Sequence, residues 1–88
     1  MKINENYLLR EVAGNYLVVS IGDDSLDLGA LITVNEIGAI IWRAIEDGKE
    51  KSEIIAEILS EYSIDEATAS ADFDEFCASL KEKNIIIE

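Results

Sequence analysis

Residues 31–48 read LITVNEIGAIIWRAIEDG, and the pattern of apolar residues changes sharply within this stretch. Up to Val34 the residues favour an extended chain. From Asn35 onward, apolar residues recur at the spacing of an amphipathic helix, namely at Ile37, Ile40, Ile41, Ala44 and Ile45. Asn35 is a favourable N-cap and Gly48 a favourable helix end. The stretch therefore predicts a strand-to-helix junction, with Trp42 at the border of the core, where its indole N–H can reach a polar partner.

The remaining apolar patterns predict strands before this junction and helices after it. Three strands are predicted, over residues 7–12, 16–21 and 28–34, and the first two form a hairpin. Ser52 and Ser63 are candidate caps of a second and a third helix, and Asn84 is suited to end the third. Residues 85–87 follow as a short strand or extended segment. This order predicts an α+β fold, with three strands followed by three helices.

The composition limits the classes of protein to which the chain can belong. Its 88 residues form one domain, 1–88, and a hydrophobic share of 49% is sufficient for a folded core. The 19 acidic against 7 basic residues give a net charge of -12, which disfavours nucleic acids and anionic membranes. A basic or neutral peptide would instead be attracted. No segment resembles a signal peptide or reaches transmembrane length, so we expect a cytoplasmic protein.

The residue types offer little for catalysis. The chain has no His and a single Cys, so imidazole triads, thiolate metal clusters and an internal disulfide are excluded. Carboxylate pairs such as Asp23 with Asp24 lack the spacing of a calcium loop. Cys77 lies on an apolar helical face, where a free Cys most often acts as a small buried hydrophobe. We therefore predict no catalytic residue, no metal and no cofactor.

One short motif supports an alternative function. Residues 22–27, GDDSLD, resemble the Asp-Ser-Leu attachment site of acyl and peptidyl carrier proteins. That resemblance implies phosphopantetheine on Ser25. In the carrier family, however, the serine begins the second helix of a bundle, whereas the residues before Ser25 are here predicted to form a strand hairpin.

A second resemblance extends over nearly the whole chain, from Tyr7 to Ile87. It is carried by the hairpin LLREVAGNYLVV, the junction Val34-Asn35-x-x-Gly38-x-x-Ile41-Trp42, the Asp47-Gly48 helix end, the Ser52-Glu53-Ile54 helix start, and Asp72-Phe73 with Phe76 and Leu80. In this order and spacing the chain resembles the PqqD family of peptide chaperones, which are recognition elements for ribosomally synthesised, modified peptides. The Tyr-Pro-Glu element of the pyrroloquinoline quinone pathway members is absent, so the resemblance implies the broader peptide-recognition group.

The resemblance to the PqqD family implies a fold, a ligand and a site. The fold is winged-helix-like, with a three-stranded antiparallel sheet packed on three helices. The leader of a precursor peptide adds as a strand to the third strand, beside the third helix, and is presented to a modifying enzyme such as a radical S-adenosylmethionine maturase. The implied peptide-binding residues are Gly29, Ala30, Leu31, Ile32, Thr33, Val34, Asp72, Phe73, Phe76, Cys77 and Leu80.

Three alternatives stay open at this point. Phe73, Phe76 and Leu80 would also suit a purely structural core. A winged-helix fold would permit a DNA-binding regulator, although the negative charge opposes it. A homodimer is compatible with so small a domain.

Overall fold

Five strands and three helices make up the described part of the chain, which is residues 1–21 and 32–87 of a computed structural model. In chain order they are β1 (Lys2–Ile3), β2 (Tyr7–Val12), β3 (Asn15–Ser20), β4 (Ile32–Val34), α1 (Glu36–Glu46), α2 (Lys51–Glu61), α3 (Glu66–Glu82) and β5 (Ile86–Ile87). The predicted α+β fold is confirmed. Ser25 and residues 28–31 of the predicted third strand lie outside the described residues.

The β2–β3 hairpin sets the register of the main sheet. Its turn consists of Ala13 and Gly14, which both have positive φ, 53° and 81° respectively. This backbone twist matches that of the flanking strands, so Val12 pairs with Asn15 and the predicted hairpin forms. β4 then pairs with β3, which gives an antiparallel sheet in the order β2-β3-β4. Within this sheet β4 is an edge strand.

Helix α1 begins where the sequence predicts. The Asn35 side-chain oxygen accepts a hydrogen bond from the Gly38 N–H at 2.7 Å, which satisfies one of the free donors of the first turn. The helix packs against β1, β4 and the other two helices. Trp42, however, is wholly buried, not placed at the border of the core, and its indole N–H has no hydrogen-bond partner among the described residues.

The predicted caps of the other two helices are wrong. The N-cap of α2 is Glu50, whose backbone N–H donates to the Glu53 side chain at 3.1 Å, and Ser52 lies inside the helix. The N-cap of α3 is Asp65, whose carboxylate accepts from the Thr68 N–H at 2.7 Å, not Ser63. In each case the N-cap is an acidic residue two positions from the predicted serine.

The two ends of the chain are joined by a small second sheet. β1 pairs with β5, placing Lys2 opposite Ile87 and Ile3 opposite Ile86. Asn84, with φ of 61°, takes the predicted left-handed conformation and turns the chain from α3 into β5. The core formed by these elements consists of Val18, Ile41, Trp42, Ala44, Ile45, Ile54, Ile55, Ile58, Ala69, Phe73, Cys77, Leu80, Ile85 and Ile86.

Candidate peptide-binding groove

A groove of about 290 Å³ separates the edge strand β4 from α3, and we call it the β4–α3 groove. The N-terminal half of α1 forms its floor. The lining residues are Ile32, Thr33, Val34, Asn35, Ile37, Gly38, Ile41, Asp72, Glu75, Phe76, Ser79 and Leu80. The groove is thus a channel bounded on one side by a strand edge and on the other by a helix.

Among the described residues, the backbone N–H and C=O of Thr33 on the edge strand β4 have no strand partner. Ile21 donates its N–H to the Asn6 carbonyl at 2.7 Å, in the direction of β2. Backbone direction alternates along a strand, so Val18, three residues earlier, is directed to β4, where it pairs with Ile32. The next residue of β4, Thr33, therefore directs its N–H and C=O away from β3. These two groups can bond to an added strand.

The shape of the groove floor depends on Gly38, which has no side chain. A Cβ atom built on Gly38 would lie 3.0 Å from Cε1 of Phe76 and 3.3 Å from the side-chain oxygen of Asn35. Contacts of 3.0 Å force a neighbour to move, so Gly38 allows the Phe76 ring to lie directly on α1. The ring is only partly buried, and it lines the groove while it packs against the core.

The α3 wall of the groove carries two carboxylates. Asp72, Glu75, Phe76 and Ser79 are spaced i, i+3, i+4 and i+7, which places them on one face of the helix. Neither Asp72 nor Glu75 forms an ion pair within the described part of the chain, and no Lys or Arg is among the lining residues. The groove therefore combines an apolar floor with a negative rim.

A comparison with protein families identifies the group to which this fold and groove belong. The family model described as Coenzyme PQQ synthesis protein D (PqqD) matches residues 8–86. The chain belongs to the PqqD family. This membership confirms the resemblance to the PqqD family that the sequence motifs indicated. A search of curated proteins finds no match to the chain.

Two solved structures are similar to this PqqD-family chain. The first is described as TbiB1 in complex with the TbiA(beta) leader peptide; it is 27% identical with a TM-score of 0.77, over 97% of this chain and 93% of that one. The second is described as lasso peptide synthetase B1 complexed with the leader peptide. It is 18% identical with a TM-score of 0.80, over 99% of this chain and 96% of that one, and this likeness shows the fold alone.

The structure brings together some of the predicted site residues and separates others. Six of them line the β4–α3 groove: Ile32, Thr33, Val34, Asp72, Phe76 and Leu80. Gly29, Ala30 and Leu31 lie outside the described residues. Phe73 and Cys77 are each 4% exposed and belong to the core behind the α3 wall.

Burial also determines the chemistry of these two core residues. Loss of solvent around the thiol raises the pKa of Cys77 to about 11, so the side chain is a neutral thiol at physiological pH. The ammonium of Lys51, which does not line the groove, lies 5.6 Å from the centre of the Phe73 ring and also pairs with Asp74 at 2.9 Å. Neither Phe73 nor Cys77 lines the groove.

Six further lining residues were not predicted, namely Asn35, Ile37, Gly38, Ile41, Glu75 and Ser79. Glu75 and Ser79 share the helical spacing of Asp72 and Phe76, so the period of α3 contained the signal. The α1 residues carried no such signal, because a helix start beside an edge strand is a property of the packing. Among residues 1–21 and 32–87, no cluster of three or more metal-ligating side chains occurs, and none of the described helices is long and apolar enough to span a membrane.

Proposed function

We propose that this chain is a non-catalytic peptide chaperone that binds the leader of a ribosomally synthesised precursor peptide in the β4–α3 groove. It presents the peptide to a modifying enzyme, such as a radical S-adenosylmethionine maturase. The observation that carries this proposal is the open edge of β4, where Thr33 directs its N–H and C=O beside the wall of α3. Strand addition requires both a free backbone edge and side-chain pockets next to it.

The TbiB1 structure, which resembles the chain, supports the same ligand. It is described with a leader peptide bound, and it is similar over nearly the whole of each chain. The chain carries the same fold, with the β4 edge free in the part that the structure describes. A leader peptide is therefore the ligand class that fits both the groove and the family.

The side chains of an added strand would alternate between the groove and solvent. Those directed to the groove would meet the partly buried side chains of Ile37 on the floor and Phe76 on the wall. We propose that the backbone from Gly29 to Val34, with Asp72, Phe76 and Leu80, forms the binding site. Phe73 and Cys77 would act indirectly, by holding α3 at its distance from β4.

The chemistry of modification would then belong to the partner enzyme. The chain contains no His, and its one Cys is a buried, protonated thiol. We place the complex in the cytoplasm, where precursor peptides are made.

Proline substitutions in β4 test strand addition. Thr33→Pro removes an N–H that faces the open edge, so the variant should stay folded. Its affinity for the peptide should fall about tenfold or more, because one hydrogen bond to the added strand is lost and the proline ring takes up space at the edge. Ile32→Pro removes an N–H that bonds to β3 and should destabilise the sheet. Binding would be measured by calorimetry with the tightest peptide selected from a phage-displayed library of short random sequences, and folding by circular dichroism.

Thr33→Ala is the matched control, because it keeps the backbone N–H and removes only an exposed side chain. It should bind nearly as the wild type does. Equal binding by Thr33→Pro and Thr33→Ala would contradict strand addition at β4. So would NMR shift changes on peptide binding that are confined to the outer faces of α1 and α2.

A further inference from the structure

The charges along the β4–α3 groove identify the chemistry of its peptide more closely. We infer that the peptide carries a basic side chain, Lys or Arg, that contacts Asp72 and Glu75 while neighbouring apolar side chains enter the groove. This inference rests on the proposed function. Two independent observations support it. The outward-facing backbone groups of Thr33 can bond to an added strand, and the described groove lining contains two carboxylates and no Lys or Arg.

The geometry of α3 gives the spacing between the basic and the apolar residues of the peptide. From Asp72 to Phe76, the partly buried aromatic residue of this helix face, the helix rises about 6 Å at 1.5 Å per residue. A strand that runs along α3 rises about 3.3 Å per residue, so this distance corresponds to about two peptide residues. An even separation keeps the two side chains on the same face of the added strand.

Charge complementarity favours a cation here over a neutral or acidic residue. An acidic peptide residue at this point would face Asp72 and Glu75 across a groove that is partly shielded from water. It would also approach a chain with a net charge of -12. A basic residue instead gains two favourable contacts and a faster encounter at low salt.

The test is a selection from a phage-displayed library of short random peptides. Wild-type protein would be panned at low salt, after removal of phage that bind Thr33→Pro, so that only groove-dependent peptides remain. The expected pool is enriched in Lys or Arg at two positions from an Ile, Leu, Val or aromatic residue. Lys→Gln in a selected peptide should weaken binding about threefold to tenfold at low salt, and by less at high salt.

Two protein variants separate a local contact from general charge attraction. Asp72→Asn/Glu75→Gln should lose the preference for Lys over Gln. Glu46→Gln/Glu61→Gln removes the same net charge from exposed positions outside the groove lining and should keep it. Circular dichroism and the urea midpoint would show that both double variants are folded.

The outcomes distinguish this inference from the function on which it rests. Groove-dependent peptides without enriched Lys or Arg would overturn the inference and leave the chaperone function standing. Full retention of the preference for Lys by Asp72→Asn/Glu75→Gln would likewise overturn the inference alone. Recovery of no peptide that depends on Thr33 would overturn both.

Discussion

Ile41 is a residue of α1 that packs in the core and also lines the floor of the groove. The substitution Ile41→Ala measures how much the packing of this side chain stabilises the domain. The side chain is fully buried. Truncating a buried Ile to Ala costs about 2–5 kcal/mol, from lost burial and the cavity left behind. A domain of this length has a total stability of roughly 4–13 kcal/mol, at about 0.05–0.15 kcal/mol per residue. The substitution should therefore remove a large share of the free energy of unfolding.

Urea titration followed by the fluorescence of Trp42, the only tryptophan, would measure this loss. The midpoint should fall while the slope stays unchanged, because the same surface is exposed on unfolding. Ile40→Ala is the matched control: the same residue type, one position along the same helix, and only partly buried. A cost below about 1 kcal/mol for Ile41→Ala, or equal costs for the two variants, would refute the placement of Ile41 at the centre of the core.

Two further predictions concern titratable groups. Burial raises the pKa of Cys77 to about 11. At about pH 8 the thiol should therefore react with a disulfide reagent roughly a hundredfold more slowly in the folded chain than in the urea-unfolded chain. Equal rates in the two states would show that the thiol is accessible in the folded chain. Hydrogen bonds from Thr68, through its side chain and then its backbone N–H, lower the pKa of Asp65 below its unfolded value. The contribution of Asp65 to stability should be complete above the unfolded pKa of about 3.9 and should be lost as the pH falls through the folded pKa. The urea midpoint of the wild type, relative to that of Asp65→Asn, should therefore fall on acidification. A difference between the two midpoints that does not depend on pH would contradict this.

Local sequence predicted the elements whose partners are close in the chain. The hairpin needed only two strand-forming runs and the Ala13-Gly14 turn, and α1 needed only its apolar stripe and Asn35. The predicted caps of α2 and α3 were wrong because an acidic residue two positions from the serine, Glu50 or Asp65, is the N-cap instead. Ile64 is partly buried against the core, and α3 begins only after it, with Asp65 as its N-cap. Helix boundaries are thus decided partly by packing that the local pattern does not contain.

The pairing of β1 with β5 had no local signal at all. Lys2 and Ile3 are too few to show a period, and their partners stand at the other end of the chain. The bond from the Asn4 N–H to the Ile85 carbonyl, at 2.8 Å, closes this small sheet. Contacts between distant residues of this kind become visible only when the three-dimensional arrangement is known.

The same limit separates Phe73 from Phe76 in the candidate site. Three positions apart on one helix, both are aromatic and both suited a groove or a core by sequence. What distinguishes them is α1: Gly38 leaves room for the Phe76 ring at the groove floor, while Phe73 lies among the core residues with Lys51 near its ring. A residue without a side chain therefore decides which aromatic ring a peptide can reach. The helical period of α3 gives the direction of each side chain, but only the helix packed against it determines whether that direction leads to a ligand or to the core.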